Sequence, residues 1–200
     1  MAKKNRLNKN DIKSKVVNYY IDLYSKILRN KNYILATTIL LSASIIFGLL
    51  FPYFLKEFQD EILKTILAQV QGKSFFEVTF FIIKNNLRTS FFGFLLGITF
   101  LPVIAITING FFIGTTLRLA TEKYSPLIIW RLFPHGIFEL PAIILSFSYG
   151  LKIGMTWFHK DRIKNFKNNY REAFSIFIFI ILPLIVIAGI IEGFLFAFFK

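Results

Sequence analysis

Three side chains in this sequence combine proton- or metal-handling chemistry with apolar surroundings: His135, Glu139 and Glu192. His135 and Glu139 are four residues apart, so one face of a helix presents both. Glu192 sits in the late apolar run Ile190-Ile191-Glu192-Gly193-Phe194. A carboxylate inside an apolar span costs roughly a few kcal/mol on insertion scales, so it needs a partner or a polar cavity. Arg131 lies just upstream and can pair with either acid, while Asn86 and Asn109 add amides at expected helix ends. Tyr149 lies on the Glu139 side of the same segment. Pro141 has no amide hydrogen to give the Ile137 carbonyl, which leaves an acceptor near His135 and Glu139 for a cation, Arg131 or Asn109. Broken helices at polar residues recur in transporters.

Three readings of this buried polar cluster stand. The first is a hydrogen-bonded network that locks helix ends together. The second is an ion or proton path through His135, Glu139 and Glu192. The third is a metal site with hydrolytic chemistry, in which those three residues are the ligands. Catalytic zinc sites usually hold more than one histidine, and no His-Glu-x-x-His pattern occurs. His159, the only other histidine, sits at a basic end too far along the chain to join His135.

The elements that must position these groups follow from composition. The chain has 200 residues, 55% of them hydrophobic and 26 of them Phe. One soluble core of this size cannot hide so much apolar surface. This excludes a water-soluble enzyme, a disordered tail and a disulfide scaffold, and there is no cysteine. What remains is an all-α polytopic membrane bundle. Net charge is +13 and unevenly spread. Residues 1–33 hold nine Lys or Arg against two Asp, and 152–172 hold six against two acids. Basic flanks stay cytoplasmic and attract anionic lipid headgroups. No nucleic-acid-binding motif is visible, so membrane lipids are the expected partner and nucleic acid is not.

The hydropathy pattern predicts a basic cytoplasmic segment, 1–33, and a single transmembrane domain, 34–200, at the cell membrane. Five spans are expected, at 34–55, 87–108, 109–133, 135–158 and 173–199, with Pro134 at a helix start. The basic loop 159–172 and the N-terminus then share the cytoplasmic side, which needs an even number of crossings between them. A re-entrant 109–133 is the alternative. Segment 56–86 is read as extracytoplasmic or interfacial. Within it, Ile62, Leu63, Ile66, Leu67 and Val70 repeat at helical spacing and mark an amphipathic surface helix. Gly72 is a stop, and Ser74 with Glu77 is a capping box for the next helix.

Eight of the eleven glycines fall in GxxxG pairs: Gly93/Gly97, Gly110/Gly114, Gly150/Gly154 and Gly189/Gly193. Glycines four apart share a helix face and let two backbones approach. They serve either internal packing or an interface with a second copy or another membrane protein.

The stretch Pro134-His135-Gly136-Ile137-Phe138-Glu139-Leu140-Pro141-Ala142 resembles the signature of the stage II sporulation protein M family. Lys84-Asn85-Asn86-Leu87-Arg88, Asn109-Gly110-Phe111-Phe112-Ile113-Gly114 and Ile191-Glu192-Gly193-Phe194 resemble its pattern in the same order. The likeness covers roughly residues 75–198. It implies an integral membrane protein of about five spans. In spore formers the namesake is a membrane anchor and scaffold in a complex with two partners, one of which degrades peptidoglycan. Similar proteins occur in bacteria and archaea that never sporulate, so a sporulation role is not carried over. The expectation is a non-catalytic scaffold or subunit of a membrane complex, without a cofactor, in a homo-oligomer or with other membrane proteins. A permease built on the polar cluster is the runner-up, and an intramembrane metal-dependent hydrolase the third reading.

Overall fold

The computed structural model describes residues 9–123 and 129–198, with side chains described for 11–66, 68–123 and 133–197. Among them every element is helical: α1 (Lys9–Arg29), α2 (Lys31–Leu50), α3 (Lys56–Val70), α4 (Phe75–Leu95), α5 (Leu101–Lys123), α6 (Ile129–Gly154), α7 (Arg162–Ile176) and α8 (Leu182–Phe198). Four helical stretches among the described residues are long and apolar enough to cross a membrane: Lys31–Leu50, Leu101–Lys123, Phe133–Phe158 and Arg162–Ala197. The last runs through α7 and α8 without a break, because a π-helical segment, Phe177–Ile181, joins them. Its 36 residues extend about 54 Å at the usual helical rise, well beyond a bilayer core of about 30 Å. The basic first turns of α7 therefore project past the apolar part.

Several expected boundaries differ. The first span is Lys31–Leu50, and 51–55 form a turn around Pro52. The expected span 87–108 is not one helix. The chain leaves α4 at Leu95, makes a 3-10 turn over Leu96–Thr99, and reverses through Phe100 with φ of +57°. Sequence gives no warning, because no Gly or Asn marks the left-handed residue. The turn is held from outside: Trp157 donates through Nε1 to the Ile98 carbonyl at 3.2 Å, and Tyr170 donates to the Leu95 carbonyl. The expected 109–133 span is instead α5, with Asn109 and Gly110 at its middle. Residues 124–128, including Pro126, lie outside the described residues. Helix α6 starts at Ile129, so Pro134 is inside it and not at its start. The expected loop 159–172 is only a turn before α7 begins at Arg162.

A helix over 56–70, its stop and the capping box appear where the sequence places them. Helix α3 spans Lys56–Val70, Gly72 has φ of +73°, and Ser74 and Glu77 cap α4 reciprocally. Segment 56–86 is nevertheless not one surface element, since most of α4 belongs to it. Helix α4 packs along α6 and α8, burying Val78, Thr79, Ser90, Gly93 and Phe94.

Glycine contacts set the helix directions. Gly110 meets Leu41 and Ser44, and Gly114 meets Ile45 and Leu49, so α2 and α5 run parallel. Gly93 meets Ser146 and Phe147, and Gly97 meets Gly150, so α4 and α6 run parallel. Gly193 meets Thr79 and Gly189 meets Ile83, so α8 runs against α4. The main core joins Leu23 of α1, Phe94 of α4, Ala142, Leu145, Tyr149 and Ile153 of α6, and Ala173, Ile176, Phe177, Ile181 and Ile185 of the last helix. Asn30, at the α1–α2 junction, is fully buried and donates to Ser148 Oγ at 2.9 Å. That bond and Leu23 tie the basic N-terminal helix to the bundle. Outward-facing Leu35, Ile39, Ile46, Ile104, Ile108, Ile187 and Ile190 supply an apolar outer surface.

Candidate functional site

Two helices bring the polar cluster together. One turn of α6 carries His135 and Glu139 on a single face, and α8 brings Glu192 against it. One ligand atom from each of the three lies within 4.8 Å of the other two. All three are partly buried. Among the described residues, neither carboxylate has a hydrogen bond or ion pair, and His135 Nδ1 is buried without a partner. A buried polar group left unsatisfied costs about 1–3 kcal/mol. Two carboxylates this close also repel each other unless a proton or a cation lies between them. The arrangement stores an unmet demand for positive charge.

A cleft of about 480 Å³ opens beside the cluster between α5 and α6. Asn109, Phe112, Ile113 and Thr116 form its α5 wall, and Phe133, His135, Gly136, Ile137, Glu139 and Leu140 its α6 wall. Its lining is mainly apolar, with the amide, hydroxyl, imidazole and carboxylate as the few polar groups. Such a composition suits a small ligand or ion. Gly136 keeps the floor open, since a Cβ added there would meet nothing within 4 Å.

The other singled-out residues fall elsewhere. Asn109 reaches the cleft, but its Nδ2 donates to Ala105 of its own helix at 2.8 Å, not to the Ile137 carbonyl. Asn86 lies in the middle of α4, not at a helix end, and does not line the cleft. The Arg131 side chain lies outside the described residues. Tyr149 is fully buried and donates to Glu172 at 3.2 Å, away from Glu139. His159 donates through Nδ1 to the Met155 carbonyl at 3.0 Å, far from His135. Each GxxxG glycine packs against another segment of the same chain, most closely where Gly193 meets the Thr79 hydroxyl and, against backbone, where Gly114 meets the Ile45 carbonyl and Gly150 the Gly93 carbonyl. Gly48, absent from the sequence reading because it has no glycine partner four residues away, packs on the Phe111 carbonyl in the same way.

A second polar group, missed by the sequence reading, lies lower between α6 and α7. Glu172 accepts from Lys152 Nζ at 2.9 Å and from Tyr149. Lys152 and Glu172 each keep only 16% side-chain exposure. The signal was available, because Lys152 and Tyr149 are three apart on one helix face.

Apolar helices of spanning length, packed through small residues around a few buried polar groups, define a multi-pass helical membrane protein. Within that class the chain belongs to the stage II sporulation protein M family, which matches residues 10–195. Two proteins of Methanocaldococcus jannaschii, both described only as uncharacterized, are similar to it. MJ0706 is 32% identical over 123 residues, 55% of this chain and 51% of that protein. MJ0793 is 32% identical over 124 residues, 60% of this chain and 67% of that protein. The match thus spans about half the length of the first relative. No solved structure matches the chain.

Proposed function

We propose that this chain is a membrane-embedded scaffold: a non-catalytic subunit that holds another membrane protein through the outer face of α4. Five membrane-embedded helices are inferred, α2, α4, α5, α6 and α8, with α3 on the outer surface and the N-terminus cytoplasmic. The helix directions support this count. The alternation α2 out, α4 in, α5 out, α6 in and α8 out returns the basic start of α7 to the side of the basic α1, as charge placement requires.

One observation carries the scaffold reading. Helix α4 packs on α8 through Thr79 and Ile83 and on α6 through Gly93 and Gly97, yet exposes Lys84, Asn85 and Arg88 midway along it. Two cations and an amide facing lipid at that depth are costly. A partner helix or a second copy offering carboxylates or carbonyls removes the cost. The consumption of the GxxxG faces inside the bundle is consistent with a contact made by α4's polar face and not by glycine seams.

The chain has no cysteine, so single thiols report cleanly. In native membranes, Asn85→Cys is expected to crosslink to a second polypeptide, and Ile39→Cys on the lipid-facing side of α2 is not. Equal failure of both positions sinks the reading. Labelling of Asn165→Cys from outside would overturn the orientation.

A second reading, a permease for an ion or small solute, is favoured by the cleft beside His135 and Glu139. Flux through proteoliposomes that disappears in Glu139→Gln while the protein still assembles supports it.

A further inference from the structure

The group at His135 is not needed for the scaffold reading, and its chemistry is more specific. We propose that His135, Glu139 and Glu192 form a binding site for one divalent first-row transition-metal ion. The imidazole supplies one nitrogen and the two carboxylates supply oxygens, while water from the α5–α6 cleft completes the shell.

Four observations carry this. The donors come from two helices and already converge, one atom each within 4.8 Å. Three ligands on a common ion with bonds of about 2.0–2.2 Å sit about 3.3–3.8 Å from one another in tetrahedral or trigonal arrangement, so a contraction of up to about an ångström, within the reach of side-chain rotation, closes the site. No described residue competes for the donors, since both carboxylates lack partners and His135 Nδ1 is orphaned. Charge balance points the same way, because a dication neutralises two carboxylates in a place where two bare anions are unfavourable. Finally, the cleft wall formed by His135 and Glu139 gives an ion and its waters a route in.

The donor set also selects the metal class. Magnesium and calcium prefer all-oxygen shells, whereas an imidazole beside carboxylates suits zinc, manganese, iron or cobalt. The helical i, i+4 spacing holds His135 and Glu139 rigidly, and α8 supplies the third ligand. The ion therefore bridges α6 and α8, and its binding stiffens that contact.

The test uses the full chain in detergent, stripped with chelator and titrated with Co²⁺, Zn²⁺, Mn²⁺ and Mg²⁺ separately. One equivalent of Co²⁺ is expected to give a visible ligand-field absorption. Zn²⁺ is expected to raise the unfolding temperature, and Mg²⁺ is not. Glu192→Gln, which keeps the side-chain shape, is expected to weaken Co²⁺ affinity at least tenfold, and His135→Ala to abolish it. Helical circular dichroism and a monodisperse elution profile establish that each variant is folded. Should His135→Ala fail that control, Glu192→Gln and Glu139→Gln carry the test. The proposal is overturned by absence of saturable binding in the wild type, by equal affinity in Glu192→Gln, or by Mg²⁺ binding as tightly as Zn²⁺.

Discussion

Helix α6 contributes to two polar clusters, one near each end, and they are built on opposite principles. Lower down, Glu172 is met by Lys152 and Tyr149, so its charge is answered within the chain. Higher up, Glu139 and Glu192 face each other beside His135 with no cation from the described residues. The first cluster is a lock between α6 and α7. The second is unfinished, and its completion must come from a proton or an ion. Burial alone therefore does not tell structure from function in a membrane bundle; the distinction lies in whether the buried charge has its partner.

Breaking the lock has the largest expected effect. Lys152→Met leaves Glu172 buried with only a hydroxyl donor, and loss of one partner of a buried pair costs about 3–5 kcal/mol. A large drop in unfolding temperature in detergent is the readout; an unchanged value would remove the contrast between the clusters. Gly150→Ala should cost less, about 1–3 kcal/mol by overpacking, because its Cβ would press on the Gly93 carbonyl and on Pro102. Gly136→Ala is the matched control in open space and should be neutral or slightly stabilising. Next comes the upper cluster: in metal-free buffer, Glu139→Gln is expected to shift stability by less than about 1 kcal/mol, since no partner in the described chain is lost. A drop as large as that of Lys152→Met would make the two clusters alike.

The smallest effect concerns a carboxylate outside both clusters. Glu77 accepts from the Ser74 backbone amide and from the Ser74 hydroxyl, and so closes the first turn of α4. Glu77→Ala removes one half of that reciprocal cap and is expected to raise amide exchange in the first turn of α4 while leaving the global unfolding temperature nearly unchanged.

Local signals were legible in the sequence where the chain punctuates itself. The amphipathic repeat of 56–70, the Gly72 stop and the Ser74–Glu77 cap each rest on neighbours a few residues apart. His135 and Glu139 were legible for the same reason, and Glu192 because a lone acid in an apolar run must be accounted for. The α4–α5 reversal was not, since 89–117 is one apolar run and the turn is imposed by Trp157 and Tyr170 from other helices. The polarity of 162–172 suggested a loop, although Ile163, Phe166, Tyr170 and Ala173 already repeat at helical spacing. The polar stretch Lys84–Arg88 suggested a helix end, yet it lies mid-helix. Hydropathy alone cannot identify a helix whose cost is met by its neighbours.

The π-helical segment Phe177–Ile181 lies between the two acids that the last helix turns toward α6. Residues 172 and 192 of an unbroken α-helix would point about 160° apart. A π-turn absorbs one extra residue without advancing the winding, which reduces that divergence to about 100°. Deleting one residue from the π-helical segment is expected to swing Glu192 away from His135 while leaving Glu172 beside Lys152, so the segment acts as a phase shifter between the two polar clusters.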